Sequence, residues 1–224
     1  MEPLLLTSPV EDGVVTLTLN RPEKRNALSI ALRDEISDAL DGLADDDQVK
    51  VVIIAGAGDV FCAGFDLGEF QRMDEPEIGE RLWPSSDRYH RTCLEFPLPL
   101  IAAVNGPALA GGFDLAVMCD IRVAAEEAAF AHPEVSFGDV VYGPLHDLVG
   151  GAVARELCLT GRRVDAREAH AMHLVASVVG RADLTTEARR YASMVTQAPR
   201  DILLRTKAKV KRRAGITHGA TLDL

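Results

Sequence analysis

The sequence predicts an α/β fold in which buried strands alternate with helices, and two observations support this fold class. Two short, wholly apolar runs, at 51–55 and 100–104, are typical of strands that are covered on both faces. Each run is followed by a glycine-bearing loop and then by the same phrase, Gly-Phe-Asp-Leu, at 64–67 and again at 112–115. With 224 residues, 47% of them hydrophobic, the chain can bury a sizeable core as one domain, or as one domain with an appendage.

The first half of the chain contains two predicted strands around a helix. Residues 14–19 alternate apolar and polar side chains, as a half-buried strand does. After a basic loop at 21–28, Leu32, Ile36, Leu40 and Leu43 recur on one face of a helix that begins near Ser29. The strand at 51–55 follows. Residues 71–96 are more polar, and we expect a helix there that is broken near Pro84, because proline is costly inside a helix.

The second half continues the alternation and ends in helices. Strands are predicted at 100–104, 121–124 and 175–179, and helices at 145–160, 184–198 and 200–213. Residues 129–138 read as short strands and loop. Asp165 and Glu168 resemble a capping box that begins a short helix. The last helix is strongly basic, which indicates either a contact with an anion or a partner subunit, or simply a solvated face.

Composition excludes several classes of protein. The net charge of −10, from 34 acidic and 24 basic residues, repels nucleic acid and anionic membranes, so we expect neither as a partner. No apolar run approaches the ~18 residues of a membrane span, and the first residues lack the features of a signal peptide. The four cysteines are scattered among apolar residues, which indicates reduced thiols and a cytoplasmic protein. No spacing of histidines predicts a metal site.

The stretch from Asn105 to Asp120 is the strongest candidate for a functional site. Its glycines lie between a predicted buried strand and a helix, whose first turn carries unpaired N–H groups that attract negative charge. Two such units side by side could direct two backbone N–H groups at one point, as in an oxyanion hole. The alternative is that glycine only permits close packing of strand and helix.

Glu134 is a candidate acid or base because it lies among apolar residues. A carboxylate in such surroundings can have a raised pKa and transfer protons near neutral pH. The alternative is an exposed loop carboxylate, since glutamate is almost never buried without a partner.

Several segments together resemble the enoyl-CoA hydratase/isomerase (crotonase) family along nearly the whole chain. The matching segments are RPEKRNAL at 21–28, VVIIAGAGDVFCAGFDL at 51–67, IAAVNGPALAGGFDLAVMCDIRVAAEEAAF at 101–130, HPEVSFG at 132–138 and LCLTGRRVDAREAHAMHLVASVV at 157–179. The resemblance implies a spiral of ββα units over residues 1–163. It also implies a mainly helical oligomerisation region over 164–224, which forms a homotrimer or a dimer of trimers.

The resemblance also implies a substrate and a set of site residues. The substrate would be an acyl-CoA thioester, with coenzyme A present only as part of it and no permanently bound cofactor. Family oxyanion-hole donors fall on the backbone N–H groups of Phe65 and Gly111, and the acid/base carboxylates fall on Asp114 and Glu134. The predicted CoA-binding residues are Lys24, Arg25, Ala27, Ala63, Asp66 and Leu67.

Two departures from the family pattern bear on the reaction. Hydratases commonly carry glutamate where this chain has Asp114, and aspartate also occurs in members that isomerise dienoyl thioesters. A glycine-rich run that usually follows Glu134 is replaced by the shorter GDVVYGPLHDLVGG. Tyr142 and Asp139 lie there, and each is open to two interpretations: an added acid/base or hydrogen-bonding group, or a space-filling and a solvent-facing residue respectively.

Three functions are therefore compatible with the sequence. The first is an enoyl-CoA hydratase or isomerase that uses an enolate-like intermediate. The second is another reaction through the same hole: dienoyl- or enoyl-CoA isomerisation, decarboxylation or thioester hydrolysis. The third is a non-catalytic acyl-CoA-binding protein, whose altered loop has remodelled the pocket.

Overall fold

The computed structural model describes residues 3–216, Thr221 and Leu224, and the main sheet runs through their centre. Its strand order is β1-β2-β3-β4-β6-β9. The strand β1 pairs antiparallel with β2, and every later neighbour is parallel. The strands are β1 (Leu5–Thr7), β2 (Val14–Leu19), β3 (Val51–Gly56), β4 (Leu100–Val104), β6 (Ile121–Ala125) and β9 (Ser177–Val179).

Both faces of this sheet are covered, which explains the continuous apolar runs. Val52 and Ile54 belong to the larger core, on the side of the first helices, whereas Val51 and Ile53 belong to a second core beneath a later helix. Because side chains alternate along a strand, a wholly apolar sequence is needed to fill both cores. The predicted doubly covered strands at 51–55 and 100–104 are confirmed.

A second, smaller sheet gives the chain its repeating ββα pattern. Its strands are β5 (Pro107–Leu109), β7 (Ala129–Ala131) and β8 (Val164–Asp165), in the order β5-β7-β8. Along the chain β4, β5 and a helix follow one another, and so do β6, β7 and a helix. Single parallel bridges, Leu28 to Phe65 and Cys62 to Ala108, extend the same pairing into the earlier units. The chain is thereby wound as a spiral of ββα units.

The helices lie on either side of the main sheet. They are α1 (Ile30–Asp45), α2 (Leu67–Phe70), α3 (Pro76–Glu95), α4 (Gly111–Met118), α5 (Gly143–Thr160), α6 (Ala166–Ala171), α7 (Leu184–Thr196) and α8 (Arg200–Ala214). The predicted beginning of α1 is confirmed, since the Ser29 side chain accepts a hydrogen bond from Leu32 N. Asp165 likewise caps α6 by accepting from Glu168 N.

The predicted break at Pro84 is wrong, because α3 continues through it from Pro76 to Glu95. Pro84 lies on the exposed side of the helix. On that side the carbonyl that loses its helical donor can turn toward water. The opposite side packs against α1 through Leu82 and Ser85, and this packing maintains the helix across the proline.

Of the last two helices, α7 packs on the main sheet, and α8 is held by polar contacts. Lys207 on α8 forms an ion pair with Asp120 at 2.5 Å, and Asp120 also accepts from Leu100 N at 2.8 Å. Two strands of the predicted C-terminal region, β8 and β9, pair with β7 and β6. Of the predicted domain ranges, residues 1, 2, 217–220, 222 and 223 lie outside the described residues.

Candidate active site

The first turn of α4 places Asp114 in the interior of the protein. The helix begins after Ala110, and a side-chain carbon on Gly112 would lie only 2.2 Å from the Cys62 carbonyl oxygen. Only glycine therefore permits α4 to approach the 62–65 segment this closely. Asp114 is 5% exposed, and its Oδ1 has no hydrogen-bond partner among the described residues.

Two backbone N–H groups are available beside Asp114. A side-chain carbon on Gly64 would lie 3.2 Å from the Gly111 nitrogen, and one on Gly111 would lie 2.8 Å from the Phe65 ring. The segments that carry Phe65 and Gly111 are therefore in contact. Within residues 3–216, neither of these two N–H groups donates to another described residue. The structure thus brings together the two N–H groups that the resemblance selected.

Glu134 comes from a 3₁₀ helix, Pro133–Ser136, directly after the second small-sheet strand β7. Its side chain is mostly buried, so the exposed-loop alternative does not describe it. Oε1 faces Nδ1 of His132 at 3.0 Å, while Oε2 has no partner among the described residues. The same Nδ1 lies 3.8 Å from Asp114 Oδ1, so one ring nitrogen faces both carboxylates.

Burial dominates the electrostatics of the site. Desolvation raises the pKa of Asp114 from 3.8 to about 7; His132 lowers it and Glu134 raises it to smaller extents. For His132, burial lowers the pKa, but the hydrogen bond to Glu134 and the charges of Asp114 and Glu134 outweigh this effect and raise it overall. A carboxyl group whose pKa is raised to about 7 can exchange protons with a substrate near neutral pH.

The predicted CoA-binding residues lie in two adjoining loops. Leu28 N donates to Gly64 O at 2.8 Å, and Ala63 N donates to Arg25 O at 3.0 Å, so the 21–28 and 62–67 loops run side by side. Among the predicted residues, the Lys24 and Arg25 side chains are exposed, and Leu67 is 61% exposed.

Asp66 and Ala27 have structural contacts of their own. Asp66 Oδ2 pairs with Arg21 at 3.0 Å, and Oδ1 caps α2 by accepting from Gly68 N. The Arg21 guanidinium also donates to Ala27 O at 2.5 Å. These contacts hold the shape of the two loops, and they occupy the Asp66 carboxylate.

Sequence reasoning missed three residues that support the site. Asn26 is fully buried with φ of 53°, and its amide donates to the carbonyls of Ala57, Val60 and Phe61. Arg33 is buried under the Phe65 ring, 4.5 Å from the ring centroid. His132 lacks metal-ligand spacing to other residues, and nothing else in the sequence distinguishes it. An asparagine inside a basic loop was the one available signal for Asn26, since asparagine tolerates the left-handed conformation.

In the altered loop after Glu134, Asp139 and Tyr142 lie in different environments. Asp139 is exposed, in agreement with the solvent-facing interpretation. Tyr142 is half-buried against the main core, and its ring centroid lies 5.3 Å from that of His146. Its backbone N–H donates to Leu224 O at 3.1 Å.

Within the described residues, no group of three His, Cys, Asp or Glu side chains could hold a metal ion. None of the helices described above combines the length and apolar character that crossing a membrane requires.

Comparison with known proteins agrees with this architecture. A family model described as enoyl-CoA hydratase/isomerase matches residues 10–223. A putative enoyl-CoA hydratase from Thermus thermophilus is 40% identical over 202 residues, which are 87% of this chain and 80% of that protein.

Solved structures agree as well. The enoyl-CoA hydratase of Mycobacterium smegmatis superimposes with a TM-score of 0.87 at 36% identity, covering 96% of this chain and 85% of that one. An enoyl-CoA hydratase/isomerase from Xanthobacter autotrophicus also gives 0.87, at 35% identity, with 96% and 81% covered. These matches confirm the predicted crotonase-type α/β fold. The chain therefore belongs to the enoyl-CoA hydratase/isomerase family.

Proposed function

We propose that this enzyme acts on an enoyl-CoA thioester through an enolate-like intermediate. The thioester oxygen accepts hydrogen bonds from the N–H groups of Phe65 and Gly111, Glu134 moves the proton, and Asp114 assists or positions water. The observation that carries the proposal is a group of buried polar atoms, Asp114 Oδ1, Glu134 Oε2 and His132 Nε2, that have no hydrogen-bond partner among the described residues. The two proposed backbone donors likewise have no acceptor there.

The energetic reason for this arrangement is the charge that develops on the thioester oxygen. As the substrate becomes enolate-like, that oxygen gains negative charge, and a donor directed at it contributes about 2.7–4 kcal/mol to the transition state. Buried polar atoms without partners are rare in native proteins, and they cluster where a substrate supplies the missing partner.

We propose that the CoA portion of the substrate binds along the 21–28 and 62–67 loops. The exposed basic side chains of Lys24 and Arg25 contact phosphate. The residues that bind the CoA portion are Lys24, Arg25, Ala27, Ala63, Asp66 and Leu67. Coenzyme A enters only as part of the substrate, and no permanent cofactor is used. Four free thiols support a reducing compartment such as the cytoplasm.

We also propose residues 1–163 as the catalytic core and 164–224 as the oligomerisation region of a homotrimer or dimer of trimers. The last helices support this, since Met194, Ile202 and Val210 expose large apolar side chains. Sedimentation equilibrium tests it, and a monomer at working concentration would overturn it.

The decisive experiment is mass spectrometry after incubation with a panel of enoyl- and acyl-CoA thioesters in deuterium oxide. Addition of one water identifies a hydratase, whereas deuterium uptake without added water points to enolate formation with proton shuttling, as in an isomerase. Loss of carbon dioxide or release of free CoA identifies a decarboxylase or a thioester hydrolase. Tight binding with no change in any thioester identifies a binding protein and overturns the catalytic proposal.

The role of Glu134 has a matched control in the same loop. We expect Glu134→Gln to lower turnover by about 10²-fold or more, because the group that transfers the proton is lost. Asp139→Asn changes an exposed carboxylate five residues away and should leave turnover within about twofold. Equal turnover in wild type and Glu134→Gln would contradict this assignment.

Isomerisation is the second candidate, and the length of Asp114 favours it. Aspartate is one methylene shorter than the glutamate common in hydratases, so it reaches less far toward a water molecule. If Asp114→Asn abolishes deuterium uptake, and the wild type adds no water, isomerisation is the reaction.

A further inference from the structure

His132 has a geometry that its sequence position did not reveal. It is buried, its ring stacks on Phe113 with centroids 4.6 Å apart, and its Nδ1 faces Glu134 and Asp114 together. The stacking fixes the plane of the imidazole, and that plane fixes which atoms Nδ1 can reach.

Nδ1 of His132 lies at different distances from the two carboxylates. Its 3.0 Å distance to Glu134 Oε1 is that of a hydrogen bond, whereas its 3.8 Å distance to Asp114 Oδ1 is too long for one. A hydrogen bond donated to a carboxylate favours its charged form. Glu134 therefore receives support for its negative charge that Asp114 does not.

Asp114 has the opposite environment. It is more deeply buried than Glu134, with side-chain exposures of 7% and 13%, and its Oδ1 has no hydrogen-bond partner among the described residues. Desolvation without a donor favours the neutral form of a carboxyl group. The direction of its pKa, raised by burial, agrees.

We propose that His132 is a positioning residue whose Nδ1–H keeps Glu134 ionised with Oε2 free, and thereby makes Asp114 the carboxyl group that carries the proton. The catalytic use of this arrangement depends on the proposed function, but the proton distribution can be measured without any substrate.

The other titratable groups near this site do not compete for the proton. They are Cys62 on the 62–65 segment, Tyr89 on α3 and Cys158 on α5. The negative charge of Asp114 contributes to raising the pKa of each of them. Burial raises the pKa of the Cys62 thiol to about 12 and that of Cys158 to about 11, and places that of Tyr89 well above its usual value. All three stay neutral, so none of them takes part in the proton distribution that the proposal describes.

The consequence is a base and an acid that are distinct before substrate binds. Glu134 Oε2 takes a proton from carbon, and the electrons of that carbon–hydrogen bond pass to the thioester oxygen. As the thioester carbonyl re-forms, an electron pair returns to another carbon and makes a new carbon–hydrogen bond with the proton that Asp114 gives up. The substrate then keeps its composition while Glu134 gains a proton and Asp114 loses one. That balance is the balance of an isomerisation.

Infrared spectroscopy of the substrate-free protein tests the proton distribution. Near pH 6 we expect a protonated carboxyl C=O stretch that disappears in Asp114→Asn and persists in Glu134→Gln, because Asp114 titrates at about 7. A band that persists in Asp114→Asn and disappears in Glu134→Gln would overturn the proposal.

Two substitutions of His132 separate its donor from its bulk. In His132→Asn the amide nitrogen can replace Nδ1–H, and we expect the wild-type spectrum. In His132→Leu the donor is lost, and we expect a second protonated carboxyl band, from Glu134, at the same pH. Unchanged spectra in His132→Leu, with folding verified by circular dichroism, would overturn the role of His132.

Kinetics then connect the proton distribution with catalysis. For any thioester that the wild type exchanges with deuterium, His132→Leu should move the acidic limb of the kcat/KM profile upward by about one pH unit. KM should change by less than about threefold, and His132→Asn should restore the wild-type profile. If no thioester reacts, the proposed function fails, while the infrared result still decides the assignment of the proton.

Discussion

At the residue scale, Ala110 has a strained backbone conformation directly before α4. Its φ of 51° and ψ of −132° lie in a region that costs a residue with a side chain about 1–3 kcal/mol. A hydrogen bond from its N–H to Ala131 O at 2.9 Å helps to maintain this conformation. The strain is held next to Gly111, whose N–H group faces the proposed oxyanion position.

Ala110→Gly should therefore stabilise the protein, by about 1 kcal/mol. Glycine adopts this backbone without strain, and this gain exceeds the roughly 0.4–1 kcal/mol lost through greater freedom of the unfolded chain. Urea denaturation measures the change. Ala108→Gly, at a buried strand position with ordinary φ, should instead destabilise. Destabilisation by both substitutions would show that Ala110 is not strained.

Asp114 predicts a particular dependence of stability on pH. Its pKa in the folded protein is about 7, above the ordinary 3.8, so the folded state binds more protons than the unfolded state between these values. Stability from this group is therefore lost as pH rises through that window, by up to about 1.4 kcal/mol per pH unit. The raised pKa of His132 acts in the same direction above 6.5, its ordinary value.

Asp114→Asn cannot ionise, so its stability relative to wild type should increase as pH rises from about 4 to about 7. Urea unfolding at several pH values measures this difference. Asp139→Asn, an exposed site, should show a constant difference from wild type across the same range. A constant difference for Asp114→Asn would contradict the raised pKa.

At the element scale, Arg33 joins α1 to α3 and to the loop before α1. Its guanidinium donates to Leu28 O at 2.8 Å, Leu82 O at 3.1 Å and Ser85 Oγ at 3.3 Å, and it lies beneath the Phe65 ring. Burial lowers its pKa. Three donors from one planar group fix the separation of the two helices.

Arg33→Leu should destabilise the protein by about 2–4 kcal/mol, because two buried carbonyls lose their donor. Arg81→Leu is the matched control, since it removes an exposed pair with Asp34 that is worth about 0–1 kcal/mol. Chemical denaturation compares the two. Equal small effects would show that water replaces the Arg33 hydrogen bonds.

The same scale shows what the sequence could predict. The strand Leu100–Val104 and the beginning of α1 at Ser29 follow from local patterns, because apolar continuity and a capping serine act within a few residues. The sequence also predicted a helix within residues 71–96, but not its continuity across Pro84, because the packing of α3 on α1 outweighs the local cost of that proline. His132 also faces Asp114 and Phe113 on α4, and local sequence contains no sign of these two contacts because they join separate elements.

At the scale of the whole molecule, the basic helix α8 is attached through a few polar contacts. Lys207 pairs with Asp120 in a largely buried position, and Lys211 Nζ donates to the Glu95 carbonyl at 2.6 Å. Arg200 donates to the carbonyls of Val49 and Ala44. These contacts explain part of the concentration of basic residues that the sequence shows.

Lys207→Ala should loosen α8 by about 2 kcal/mol, because the half-buried Asp120 carboxylate loses its counter-ion. Amide hydrogen exchange should accelerate across Arg200–Ala214 more than in the central strands. Lys209→Ala, on the exposed side of the same helix, should leave exchange unchanged. Uniform acceleration over the whole chain would instead indicate global destabilisation.

The two donors of the proposed oxyanion hole, the N–H groups of Phe65 and Gly111, have no acceptor among the described residues. They belong to the backbone, and every genetically encoded residue except proline supplies the same group at position 65. In a mutational scan of turnover, most substitutions of Phe65 should therefore keep the backbone donor, whereas substitutions of Glu134 should not be tolerated. Both residues belong to the proposed site. A single nucleotide change can therefore remove the Glu134 carboxylate, whereas only a change to proline removes the N–H group at position 65.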